Sequence, residues 1–544
     1  MPPELNRVQE MFEDFNRLRS DRGNFESHWK EIAERVIPAH RQLFTAFGAT
    51  KTKGERRTEF IFDSTPMLAL GKFASILDSL LTPRNQTWHK LKASDPELNK
   101  IREVKLWFAD TTRRLFKHRY APKANFSSQN QKVFKSLGAY GTASMFIDPL
   151  DGGRDGELGL RYKNIHLGET FFRENHQGII DTVYRHFPLT AKKAIEKWGD
   201  RVPDAVKNSK DPSREFFFLH RVEPNLNRDP SRLDFRGMLF SSMIASEEGK
   251  VLLEEGGFRS FPYAAPRYDQ HSGETYGRSP AMDALPSIKT LNEEKKTVLK
   301  QGHRTVDPVL LAHDDGVIDQ FSLRPGALNF GGVSAEGKTL VQTLPVGRVD
   351  IGKDLMDDER ETINDFFLVT LFQILTDTPT MTATEVIERT KEKGILLAPT
   401  VGRQQSEYLG PLIERELDVL SQQRLLAPMP GVLLEAQGDY TVEYDSPLSR
   451  AQRAEEAGGL MRSVETALTI VNTTKDPAPL DHFNWDVVIP EISAIHGVPP
   501  KWLRSAQEIQ AIREGRSQQQ QTQEAAQLAP GAAAMTKAIA VASK

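Results

Sequence analysis

The residues with the most explicit chemical spacing are Gly332-VSAE-Gly337-Lys338-Thr339, which fit G-x-x-x-x-G-K-[ST] letter for letter. That spacing binds nucleotides when backbone N–H groups cradle phosphates, the lysine reaches the outer ones and the hydroxyl holds Mg²⁺. It needs a strand before it and a helix after it. Here Leu340-VQT-Leu344 alternates like a strand, and Pro345 forbids a continuing helix. No apolar strand ending in a metal-binding Asp follows. The string therefore reads as a Gly-rich hairpin turn, with a P-loop NTPase as the disfavoured alternative.

Other clusters carry less. His313, Asp314 and Asp315 lack the helical H-x-x-x-H spacing of a metal pair and sit in an Asp–Gly turn. Asp148, Asp151, Asp155 and Glu157 depart from the D-x-[DN]-x-[DN]-G calcium loop and read as an acidic surface turn. Ser64 has no G-x-S-x-G elbow and reads as a helix cap. No catalytic residue, cofactor or metal is expected. Lys289, Lys295, Lys296, Lys300 and Arg304 are different. On one chain they are a solvated helix face. Repeated around a ring, each would become a circle of charge able to touch phosphates without reading sequence.

These residues sit in a helix, module, helix arrangement. A helical run from Met282 to about His303 carries the stripe Leu285, Ile288, Leu291 and Val298. It leads into a Gly/Pro-studded β-rich segment, Asp307 to Gly347, with an Asp314–Asp315–Gly316 hairpin signal. A second helix, Asp354 to Gln373, carries Ile363, Phe366, Phe367, Thr370, Leu371 and Ile374. Two helices around a small head suit a pillar set beside copies of itself better than a one-pocket enzyme.

The rest of the chain supplies a scaffold. Val8, Met11, Phe12, Phe15 and Leu18 predict a first helix that Gly23–Asn24 breaks; Phe25, Trp29, Ile32 and Val36 predict a second, ended by Pro38. A third starts at Ser64–Thr65–Pro66, with Leu68, Phe73, Ile76, Leu77 and Leu80, and a fourth covers Leu98 to His118. Short strands are expected at Ala143–Asp148, Leu158–Tyr162, Ile179–Phe187, Phe216–Val222 and Met238–Ser242, closing an α+β domain near Arg278. A loop, Leu375-TDTPT-Met381, precedes a long helical region to Leu426 that Gly410–Pro411 should kink. Tyr440–Tyr444 reads as a strand, Ala451–Val471 and Trp502–Gly515 as helices, and the tail from Ser517 as Gln/Ala-rich low complexity.

At 544 residues, two to four structural regions are expected. A net charge of -3 gives no bulk attraction to nucleic acid. The absence of cysteine excludes disulfides and thiol chemistry. The amino terminus lacks a signal-peptide core, and no apolar run is long enough to cross a membrane, so no membrane partner is expected.

Six segments in order resemble the portal, or head-to-tail connector, family of short-tailed bacteriophages: Trp29-KEIAERVIP, Ile61-FDSTPMLALGKFASILDSLLTPRNQTWHKL, Tyr276-GRSPAMDALPSIKTLNEEKKTVLKQGHRTVDP, Gly402-RQQSEYLGPLIERELDVL, Tyr444-DSPLSRAQRAEEAGG and the Gln-rich terminus. The resemblance implies an elongated, mainly helical α+β subunit that assembles as a dodecameric ring at one capsid vertex. Its parts would be a wing (1–280), a stem helix (281–306), a clip (307–349), a second stem helix (350–374) and a tunnel loop (375–382) that includes Thr376, Asp377, Thr378, Pro379 and Thr380. A kinked helix returning to the wing (383–450), a crown (451–515) and a tail (516–544) would follow. Double-stranded DNA would be packaged through the ring by terminase and later ejected. Tail adaptors and major capsid or scaffold proteins would be partners, and assembly would occur in the host cytoplasm. The near-neutral charge suits a channel through which DNA slides, with weak phosphate contacts and no base readout. The remaining alternative is a capsid or tail structural protein without a DNA channel.

Overall fold

The protein is described from a computed structural model. It covers residues 3–44, 54–55, 57–150, 156–312, 322–345, 349–373, 397–436, 438–445, 447–495, 502–504 and 508–519. The tunnel-loop candidates Thr376–Thr380, the His313–Asp315 turn and residues 151–155 of the acidic turn lie outside them. The fold is α+β and mainly helical. By contact it divides into two units, Met1–Gln86 with Lys117–Leu425 and Thr87–Phe116 with Leu426–Lys544. Among the described residues, no helix is long and apolar enough to cross a membrane.

The first unit is built on a five-stranded antiparallel meander: Thr170–Glu174, Ile180–Thr190, Glu215–Pro224, Phe240–Ser246 and Leu252–Phe258, in that spatial order. Both of its faces are covered, and successive side chains alternate between them. On one face Tyr184, Leu219, Met243 and Ala245 meet Val8, Met11, Phe12 and Phe15 of helix Pro3–Asp21. On the other, Phe187, Phe218 and Ile244 meet Ala191, Ala194 and Trp198 of helix Ala191–Trp198. Two-sided burial explains why 216–219 reads Phe-Phe-Phe-Leu rather than alternating. Three strands of this sheet match the expected ones within a few residues; both edge strands escape the sequence pattern.

The first two helices are separated at Arg22, one residue before the expected break, and Gly23 and Asn24 open the second helix. The Arg22 side chain is buried, donates to the Leu167 and Thr170 carbonyls at 2.8 and 2.6 Å, and lies over the Phe171 ring. Helix Gly23–Arg35 then buries Trp29, whose indole N–H donates to the Tyr140 carbonyl at 3.1 Å. Tyr140 ends helix Phe126–Tyr140, which the apolar spacing does not reveal. Tyr276 closes on Trp29 edge-on, at 5.2 Å between ring centroids.

Ser64 precedes helix Thr65–Leu81 but makes no side-chain cap. Asp63 takes that role, accepting from the Thr65 N–H at 2.9 Å and from its hydroxyl at 2.6 Å. Of the apolar residues named for this helix, Leu68 is exposed, whereas Phe73 and Leu77 are buried, with Ala74 between them. Proline at 411 is absorbed by a wider turn. Residues Gln405–Leu409 form a π-helical turn, and the Gly410 N–H bonds to the Gln405 carbonyl. That turn places Glu407 against buried Arg267, which it meets at 2.9 Å, and Tyr408 against Asn130 at 2.6 Å.

At the centre of this unit lies a polar network. The Arg119 guanidinium is forked onto Glu416, with neither side chain exposed. Tyr162 donates its hydroxyl to the same carboxylate. Burial first, and then the Glu416 charge, push the Tyr162 phenol well above its ordinary pKa, so it stays a donor.

In the second unit, His89–Ala93 pairs antiparallel with Tyr440–Tyr444, the latter with the bounds the sequence predicts. Asp445 then donates its N–H to the Trp88 carbonyl at 2.8 Å. The expected helix at 451–471 lies within a longer one, Pro447–Thr474, and an unforeseen helix covers Trp485–Ile495.

Candidate functional site

The outgoing helix, Leu285–Val306, follows a short turn, Pro280–Asp283, capped by Ser279. The returning helix covers Val349–Phe366. The two run antiparallel: Val298 lies where a side chain at Gly352 would stand, and Glu294 feels the charge of Glu359. Burial and that like charge raise the Glu294 pKa. Gly352 is needed because a Cβ there would come within 2.7 Å of Val298 Cγ2.

The expected apolar stripes are largely present. Leu285, Ile288 and Leu291 are buried on the outgoing helix, and Ile363 and Phe367 on the returning side. Phe366 is exposed instead, because the helix stops there. Leu368 takes a positive φ of 60°, and a new short helix, Val369–Gln373, begins. Ile374 lies outside the described residues.

Residues 60–65 brace both helices. Asn292 accepts from the Phe62 N–H at 2.9 Å and donates to the Phe60 carbonyl. Arg360 of the returning helix reaches Asp63 at 2.6 Å. Burial pushes the Asp63 carboxyl upward, but bonds from Thr65 and Arg360 outweigh it and hold its pKa below the ordinary value. Asn292 belongs to one of the segments quoted above, and Phe62 and Asp63 to another.

The five sequence-predicted cations are all on the outgoing helix but not on one side of it. Lys289, Lys296, Lys300 and Arg304 are seven, four and four residues apart, one face of a helix. Lys295 and Arg304 are nine residues apart, about half a revolution at roughly 100° per residue. Lys289 is paired with Glu31 at 2.5 Å, and Lys296 with Glu293 at 3.0 Å. Lys296 also lies 5.9 Å from the Phe62 ring centroid. Lys300 and Arg304 are exposed, with no salt bridge to a described residue.

The returning helix carries a feature that an apolar reading passes over. Asp354, Asp357, Asp358, Glu361 and Asp365 recur at helical spacing and are all exposed. Asp357 pairs with Arg360 at 2.6 Å. The charges of the two helices are opposite in sign: five Lys/Arg and two Glu on the outgoing helix, two Lys/Arg and seven Asp/Glu on the returning one.

Between the helices, the described part of the module is a small hairpin head. Leu310–Ala312 pairs antiparallel with Val341–Thr343. The G-x-x-x-x-G-K-T string forms a second hairpin: Val333 bridges Thr339, the Ser334 N–H bonds to the Lys338 carbonyl, and Gly337 turns at φ 81°. Lys338 is 81% exposed, and a strand follows it rather than a helix. The string is thus a turn, and its N–H groups do not form the phosphate cradle of a nucleotide site.

Residues 8–503 match the model of a family described as bacteriophage head to tail connecting protein. The chain belongs to this family. A protein named "Probable portal protein" from Bordetella phage BPP-1 is 31% identical over 95% of this chain and 93% of its own length. A "Portal protein" from Salmonella phage epsilon15 is 27% identical over 98% and 95%. A solved chain from the virion of a native gene transfer agent particle covers 79% of this chain and 94% of its own. It does so at 11% identity and a TM-score of 0.36, too slight a likeness to argue from. The resemblance carried by the six quoted segments is therefore borne out for head-to-tail connecting proteins, and the first three of them touch through Trp29–Tyr276 and Asn292–Phe62.

Proposed function

We propose that the chain is a phage portal protein: a structural subunit of a closed ring at one capsid vertex, through which duplex DNA enters and leaves. The observation that carries this reading is near-full-length similarity to two proteins named as portals. A heterologous contact that closes on itself makes a ring, and twelve copies is the expected number. Terminase would drive DNA inward, with major capsid or scaffold proteins surrounding the ring, and assembly would take place in the host cytoplasm.

The parts carry separate jobs. The outgoing and returning helices would form the stem, and 307–349 the clip on which terminase and then a tail adaptor dock. The exposed Leu323, Leu328, Phe330 and Val333 support a docking role for that head, since apolar side chains gathered on a small module mark contact surfaces. Residues 375–382, with Thr376, Asp377, Thr378, Pro379 and Thr380, would form the tunnel loop. Of Lys289, Lys295, Lys296, Lys300 and Arg304, only those on one side can face the bore, where they would make salt-sensitive phosphate contacts without base readout.

Light scattering of the purified chain tests the assembly. A mass of many subunits is expected at micromolar concentration, and a stable monomer would overturn the proposal.

A further inference from the structure

The charge pattern of the helix pair bears on how one subunit meets the next. On the outgoing helix, Lys289, Lys296, Lys300 and Arg304 form one face; Glu31 meets Lys289 and Glu293 meets Lys296, which leaves Lys300 and Arg304 as its charges with no salt bridge to a described residue. That face points away from the returning helix, because Glu294 and Val298 face it and Lys300 lies about 200° around from Val298. On the returning helix, the exposed carboxylates Asp354, Asp358, Glu361 and Asp365 also point away from the helix partner. Glu361 stands about half a revolution from Gly352, which touches Val298. The pair is thus a slab with one basic edge and one acidic edge, facing opposite ways.

We propose that the basic edge of one copy docks on the acidic edge of the next, so that each subunit boundary in the stem is a ladder of opposite charges. The occupant of each face is a second copy of this chain. This rests on the ring reading above and adds which surfaces close it. Three observations favour it. The first is complementarity: the two edges have opposite sign, and on each the charges recur at helical intervals, 7, 4 and 4 residues on one and 4, 3 and 4 on the other. The second is level. Neighbours in a closed ring have no axial rise, so residues of adjacent copies keep the heights they have within one chain. With Val298 opposite Gly352 and Glu294 near Glu359, Lys296 stands level with Asp354 and Asp358 to within a helical turn, Lys300 with Asp354, and Lys289 with Glu361 and Asp365. The third is the border of the acidic edge. Leu355 and Phe366 are exposed beside the carboxylates, which suits a protein surface better than water. The DNA backbone, an anion, is not a partner for the acidic edge. On this assignment Lys295 is the one candidate cation of the outgoing helix that stays uncommitted to a neighbour.

The test uses full-length chains at low salt, where exposed charges are least screened. K300E/R304E turns the basic edge net negative, so both edges carry negative charge; D354K/D358K/E361K turns the acidic edge net positive, so both edges carry positive charge. Each variant alone should need at least about tenfold higher concentration than wild type to form rings, read by light scattering. A one-to-one mixture should restore rings, since each acidic edge then meets a basic one, and thermal melts confirm that both variants are folded. Rings from either variant at the wild-type concentration would overturn the proposal, as would folded variants whose mixture stays dissociated. Unaltered rings with altered DNA retention would overturn it in favour of bore-facing charges. A wild-type chain that forms no ring at all would instead defeat the underlying portal reading.

Discussion

Two regions of the first unit use the same side chains to opposite ends. In the interior, Arg119 and Glu416 are forked together with no exposure, and Tyr162 caps the carboxylate. On the helix pair, Lys300, Arg304, Asp354, Asp358, Glu361 and Asp365 stand in solvent at regular spacing. A buried pair has lost its water, so each partner depends on the other. An exposed charge keeps its water and contributes little to its own chain's stability. The interior charges therefore tie Arg119 and Tyr162 to the helix from Gly410 to Gln422 within this core. The exterior charges are left for something outside the chain. The comparison separates residues that hold the subunit together from charged residues that its own stability does not need.

The most severe way to break that division is to remove one interior partner. Glu416→Gln leaves Arg119 buried without its counter-charge and should cost about 3–5 kcal/mol of stability in denaturant unfolding. The double change Arg119→Met/Glu416→Leu should recover most of that loss, because neither charge is then left alone. If the single change were neutral, the interior pair would not be the anchor described here.

Asp63 lies between the two classes: it is nearly buried, while Arg360 is partly exposed. Asp63→Asn should cost about 2 kcal/mol, since the lost bonds are charge-assisted. The native carboxylate pKa is below its unfolded value, so its contribution is present above the ordinary carboxylate range and disappears as pH falls through the lower folded value. The acid arm of a stability profile should flatten in the Asn variant.

A smaller, pH-dependent effect belongs to His40. Burial, and then Lys135, Arg57 and Lys132, lower its pKa from 6.5 to about 4, while its Nδ1 stays 3.2 Å from both the Tyr140 hydroxyl and His166 Nε2. The folded state prefers the neutral ring. Stability is therefore full above about 6.5 and falls as pH drops toward 4, where the unfolded chain takes the proton first. His40→Gln should weaken that slope in thermal melts across this range. The smallest effect is expected on the exterior: K300E/R304E should leave the melting of the unassembled chain within about 0.5 kcal/mol of wild type. A large loss there would erase the contrast between the regions.

What the sequence shows follows from how burial is distributed. One-sided helices such as Pro3–Asp21 announce themselves through Val8, Met11, Phe12 and Phe15. Helix Phe126–Tyr140 hides because Gln129, Asn130 and Ser136 are buried inside it. Asn130 donates to Asp78 and Thr82 and accepts from Tyr408, partners that no local pattern reveals. The missed strands of the meander, Thr170–Glu174 and Leu252–Phe258, are its two edges, where Glu254, Glu255, Gly256 and Gly257 dilute the apolar alternation. At the site, the lysines are legible one by one, but Lys289 and Lys296 turn out to be paired within the chain. The carboxylate stripe of the returning helix is equally legible by spacing and is lost only when apolar residues alone are followed.

Imaging the purified wild-type chain by electron microscopy tests the central claim most directly. Closed rings of uniform rotational symmetry, with an axial opening wide enough for duplex DNA, are expected. Monomers at micromolar concentration, or rings with no such opening, would contradict it.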